Sequence, residues 1–99
     1  MLHEHNAQQD EALVTQELDQ SAVLMLGIIE LLHAEHDSGR ARMPLAAICK
    51  RLGLRMSTLQ RLMTALGEQA LVEVSDEKDR LVARLTPAGT ELSQALQSA

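Results

Sequence analysis

The chain has 99 residues, a formal charge of −5, 45% apolar side chains and no Phe, Tyr or Trp. That length suits one domain with one small core, and the missing aromatics exclude base-stacking single-strand and RNA-binding surfaces and aromatic ligand cages. With 18 Leu, 13 Ala and 5 Met, the interior must be aliphatic, and a mostly α protein is expected.

The charge is segregated along the chain. Residues 1–39 carry eight acids and no Lys or Arg, residues 40–84 carry all nine basic residues against five acids, and only Glu91 is charged beyond them. Such asymmetry is a sign of a segment that meets nucleic acid joined to one that does something else. The single cysteine, Cys49, rules out an intrachain disulfide and reads as a small buried residue. The polar, acidic first twelve residues lack the pattern of a signal peptide. The longest apolar run, residues 22–29, is too short to span a membrane. A cytoplasmic protein without a membrane partner is expected.

In chain order, residues 1–8 have no period and read as a flexible tail, followed by a single domain over residues 9–99. From residue 9 a helical pattern runs through Leu13, Leu18, Ala22, Met25, Ile29 and Leu32. Val23, Leu24, Ile28 and Leu31 fall outside that stripe, so this long helix, about 9–38, needs cover on two sides. One side suits the chain's own core and the other a second copy, with Leu24, Ile28 and Leu31 as the dimer contact. Gly39 stops the helix, residues 40–43 form an extended link, and Pro44 suits the first position of a second helix over about 45–52. Gly53 closes that helix, and Ser57 is placed to cap a third, with Leu59, Leu62, Met63, Leu66 and Ala70 inward. Residues 44–70 therefore read as a helix-turn-helix. Alternation then replaces the helical period: Val72 and Val74, a polar turn over 76–79, then Leu81, Ala83 and Leu85 describe a hairpin over 71–86 with one buried and one wet face. Thr86 can cap a last helix, 87–98, with Pro87 at its first position.

The order α-α-α-β-β-α, a helix-turn-helix running straight into a hairpin, is that of a winged helix-turn-helix: mostly α, with a small β-hairpin wing and here an extended N-terminal helix. Residues 45–89 resemble the DNA-binding lobe of MarR-type transcriptional regulators and their winged-helix relatives. The resemblance rests on LAAICKRLGLRMSTLQRLMTALGEQALVEV and DRLVARLTPAG, which match a recognition helix, a wing ending in Asp-Arg, and a Leu-Thr-x-x-Gly opening the next helix. It implies a DNA-binding regulator. In two respects the chain departs from the pattern: Ala70 stands where the family commonly has Gly, and a long C-terminal dimerisation helix is absent, which shifts the expected dimer contact to residues 9–36.

A helix entering the major groove needs an apolar inner stripe and an outer face of short polar or forked cationic groups. Ser57, Thr58, Gln60, Arg61 and Thr64 supply that outer face. Gln can pair with adenine and Arg with guanine in two-pronged fashion, while Ser57 and Thr58 suit either a phosphate or a helix cap. Lys78 and Arg80 at the wing are candidates for a flanking backbone contact, with Arg40, Arg42, Lys50, Arg51 and Arg55 as further phosphate partners. The partners read from these residues are double-stranded DNA and a second copy of the chain. His33 and His36, one turn apart near the end of the long helix, read as exposed residues complementing the helix dipole, so no metal or other cofactor is assigned. No phosphate loop and no nucleophile motif is present, so no enzyme is expected. The competing reading is a winged-helix protein-interaction module whose acidic first helix joins an assembly without touching DNA.

Overall fold

A computed structural model describes residues 2–98, with side chains described for residues 20–98. Four helices and three short strands follow in the order α1 (Leu2–Asp37), β1 (Met43–Pro44), α2 (Leu45–Leu52), α3 (Met56–Glu68), β2 (Val72–Glu77), β3 (Arg80–Leu85) and α4 (Pro87–Ser98). The fold is the mostly α winged helix-turn-helix. α1 begins at Leu2 rather than near residue 9, because residues 2–8 contain neither Pro nor Gly and a helical ladder continues without an apolar stripe. The side chains of this first segment lie outside those described.

Three helices end in one motif. After α1 the Arg40 N–H donates to Glu35 O (2.7 Å) and the Gly39 N–H to His36 O (3.0 Å), with Gly39 at φ 95°. Gly53, at φ 67°, ends α2 the same way, with the Leu54 N–H on Cys49 O. At the end of α3 the Leu71 N–H donates to Leu66 O and the Ala70 N–H to Gly67 O, and Ala70 itself takes the left-handed conformation at φ 57°. This geometry satisfies carbonyls that the helix leaves unpaired. The missing glycine at position 70 therefore leaves the turn unchanged, and Ala takes up its strained conformation.

The sheet is antiparallel with order β1-β3-β2. β2 and β3 pair from Val72 with Leu85 to Glu77 with Arg80. β1 takes the place of the expected link: Met43 pairs with Ala83 and Pro44 with Val82, a contact two residues long and too short to show a period. Pro44 is extended at φ −60°, ψ 141° and precedes α2 rather than opening it. It is tolerated because β1 lies at the sheet edge. One buried and one wet face describes the hairpin incompletely. Val82, which alternation with Leu81 and Ala83 puts on the wet face, is buried beside Ala83, because β3 is the central strand and α1, α2 and α4 all meet it. Val74 and Leu81, which alternation puts on the buried face, are exposed beside α3, where they line a hollow with Gln60 and Thr64.

The core joins Ile28, Ile29 and Leu32 of α1 to Leu45 and Ile48 of α2 and to Leu59, Leu62, Met63 and Leu66 of α3. Ile28 is 0% exposed, and Leu24 and Leu31 pack against the same cluster. Ile28 is thus held by the chain's own core and is closed to a partner. His33 also departs from expectation: it is buried between α1 and α4, where Ser93 Oγ lies 2.7 Å from its Nδ1. It follows Ile29 by one turn and so shares the inward face.

Candidate nucleic-acid interface

α3 is held to the body by a buried row at Leu59, Leu62, Met63 and Leu66, which turns Ser57, Gln60, Arg61 and Thr64 outward, all of them exposed. The helix begins at Met56 and Arg55 is its first flanking residue, with no side-chain cap. Ser57 therefore sits inside the first turn rather than capping it. Thr58 is half-buried and faces a depression between α1 and α3, of about 560 Å³, whose lining includes Arg61 and Met25. The Thr64 hydroxyl donates to Gln60 O (2.9 Å), which leaves its methyl group and oxygen lone pairs for a ligand.

The wing is aimed by two devices. Lys78 (φ 53°) and Asp79 (φ 65°) form the two-residue turn, both left-handed, as the twist of a tight hairpin requires. At the base, the Thr86 hydroxyl donates to Ala70 O (2.6 Å) and accepts from the Gly89 N–H (3.0 Å), while the Thr86 N–H donates to Leu71 O (3.1 Å). A Cβ on Gly89 would stand 2.2 Å from Leu71 O. The Leu-Thr-x-x-Gly pattern is thus a clamp that fixes the exit of α3, the start of the wing and the cap of α4 in one place.

The basic residues divide into two sets. Arg42 bonds both Glu77 carboxylate oxygens (2.8 and 2.9 Å), Arg84 bonds Glu73 through Nε (2.8 Å) and its guanidinium, and Glu35 lies between Arg51 (3.4 Å) and Arg40 (3.6 Å). Lys50, Arg55, Arg61, Lys78 and Arg80 have no carboxylate at ion-pair distance among the described residues. All five lie between α2 and the wing tip. Spacing across loops could not separate these sets; the ion pairs do.

Gln60, Leu45 and Leu81 are shared by two adjoining hollows, of about 470 and 300 Å³, between α3 and the wing. Met56, Val74 and Leu81 leave apolar surface exposed there. Alternation hides this groove, since it puts Val74 and Leu81 under cover.

Ser93, His33 and Asp37 stand in a row, with His33 Nε2 3.6 Å from Asp37. Ser93 is only 1% exposed and Gln97 Nε2 also approaches His33 Nδ1 (3.3 Å), so the row ties α4 to α1 and offers no nucleophile to solvent. Among the described residues no three His, Cys, Asp or Glu side chains gather as a metal site, and no helix is long and apolar enough to cross a membrane.

No protein-family model matches the chain, and no curated protein matches it. Solved structures do. HlyU, a transcriptional regulator of Vibrio vulnificus CMCP6, is similar at 21% identity and TM-score 0.63 over 94% of this chain and 93% of that one. A transcriptional regulator homologue of Pyrococcus horikoshii OT3 is similar at 24% identity and TM-score 0.66, covering 84% and 88%. A candidate DNA-binding protein of Ralstonia eutropha JMP134 is 33% identical at TM-score 0.64, covering 78% of this chain and 94% of that one. The chain belongs to the family of this Ralstonia eutropha protein, and its winged helix-turn-helix is the fold it shares with the regulators.

Proposed function

We propose that the chain is a homodimeric, sequence-specific double-stranded DNA-binding regulator of transcription, of the MarR-like kind. α3 enters the major groove with Ser57, Gln60, Arg61 and Thr64, and Thr58 borders the contact from the α1 side. Lys78 and Arg80 reach the flanking backbone from the wing. The observation that carries this reading is the division of the cations: four arginines share three carboxylates within the chain, and the five basic residues without one among the described residues lie from α2 to β3. Set against Glu68, Asp76 and Asp79, which have no basic partner among the described residues either, the five cations leave this segment a local excess of +2 in a chain whose total is −5, and that excess favours a polyanion there. The MarR-like assignment is supported by the Asp79–Arg80 wing tip and by the Thr86–Gly89 clamp, which gives the Leu-Thr-x-x-Gly pattern a structural task.

The second copy joins through α1. A 36-residue helix is about 54 Å long, close to the 58 Å longest dimension of the chain, so α1 extends well past the core it packs on. Val23, 67% exposed, and Leu26 give its outward side apolar surface. Leu24 and Leu31 contribute only the part that the core leaves free. Two copies would present two recognition helices to half-sites about one duplex turn apart.

A retardation assay with a pool of random duplexes at low salt, run beside a sedimentation measurement, tests the proposal. Retardation that weakens as salt rises, by a species of twice the chain mass, is expected. A dimer that retards no duplex at low salt would replace it with the protein-interaction reading.

A further inference from the structure

In the groove between α3 and the wing, exposed apolar side chains adjoin the polar reading face. Of the six large apolar side chains exposed among the described residues, three border it: Met56 (38%), Val74 (42%) and Leu81 (39%). Leu45 contributes to both of its hollows, Gln60 leans over both, and Arg80 stands at the end nearest Met56. Apolar surface of this kind has a cost in water, and among the described residues nothing covers it.

We propose that this groove receives the 5-methyl groups of thymine, so that the chain prefers A·T base pairs at the positions beneath Met56, Gln60 and Leu81. The inference rests on the DNA reading given above and specifies which bases that site takes. The occupant has to bring three things at once: a small apolar knob for Met56 and Leu81, a paired donor and acceptor for the Gln60 amide, and negative charge for Arg80 and Lys78. The major-groove edge of an A·T pair presents the methyl on one base and the adenine N6 and N7 on the other, with phosphates alongside. A G·C pair has no methyl, and it would set the cytosine amino group against the apolar wall, leaving a polar donor desolvated without a partner. Gln60 follows Met56 by one helical turn, so amide and thioether lie on one side of α3 and meet one short stretch of duplex.

The test compares binding of the alternating polymers poly(dA-dT) and poly(dA-dU), which differ by the methyl alone. The chain should bind the thymine polymer at least about fourfold more tightly, the worth of one buried methyl. Leu81→Ala and Met56→Ala, both at exposed positions, should each bring that ratio toward one while the dependence on salt stays as it was. Equal affinity for both polymers, each salt-dependent, would overturn the inference and leave DNA binding in place. A thymine preference that persists unchanged in both variants would also overturn it, since the methyl would then be read elsewhere. Binding of neither polymer at low salt would remove the DNA reading and this inference together.

Discussion

Ala70 occupies a conformation that an L side chain adopts only at a cost of about 1–2 kcal/mol, at φ 57° in the turn that ends α3. Ala70→Gly should therefore stabilise the chain, by about 0.5–1 kcal/mol after the greater freedom of glycine in the unfolded chain is counted, seen as a Tm higher by a few degrees. The reverse holds at Gly89. Because a Cβ there would collide with the backbone oxygen of Leu71, Gly89→Ala should cost about 2–3 kcal/mol in denaturant unfolding. It should also loosen the Thr86 clamp that aims the wing. A single sequence names both residues, but it does not distinguish a glycine required by its neighbours from one that ends a helix; the 2.2 Å approach does.

Elements whose period runs for several turns or that carry a stop signal were legible from the sequence: α2 between Pro44 and Gly53, α3 with its inner leucines, and the Thr86 cap of α4. What escaped depends on contacts far apart in sequence. β1 is two residues whose only periodicity is its pairing with Val82 and Ala83, and Val82 is buried because a third strand and three helices surround β3. His33 belongs to the same class, since its partner Ser93 lies sixty residues away. Ser93→Ala leaves the buried Nδ1 with only the longer approach of Gln97 and should destabilise by about 1–2 kcal/mol. Combining it with His33→Leu should recover part of that loss, because replacing both polar partners removes the unsatisfied group. Chemical denaturation of the two single variants and the double variant measures the coupling.

At the scale of the whole molecule, the proposed function places two tasks on different parts of one chain. The long α1 carries the acidic residues and the outward apolar side chains Val23 and Leu26, while the partnerless cations lie from α2 to the wing. A charge buried where an apolar contact is needed is expensive, so Leu26→Glu should shift the proposed dimer toward monomer in sedimentation equilibrium. The same change should leave the melting of the winged-helix core nearly as it was, because Leu26 lies outside that core. Weaker DNA binding should follow, since two linked reading heads bind more tightly than one. The candidate face itself was legible as residue types on α3. Its division from the neutralised arginines was not, because Arg42 meets Glu77 across 35 positions of sequence.

The most direct measurement of the central claim is the slope of log Kd for a random-sequence duplex against log salt, for the native chain and for the Arg61→Ala, Arg80→Ala double variant. Each cation that meets a phosphate contributes about 0.9 to that slope. Removing Arg80 from both copies of the proposed dimer should therefore make it shallower by about 2, and losing Arg61 from the reading face should weaken binding at every salt concentration. A double variant that binds with the native slope and affinity would contradict the placement of DNA on α3 and the wing.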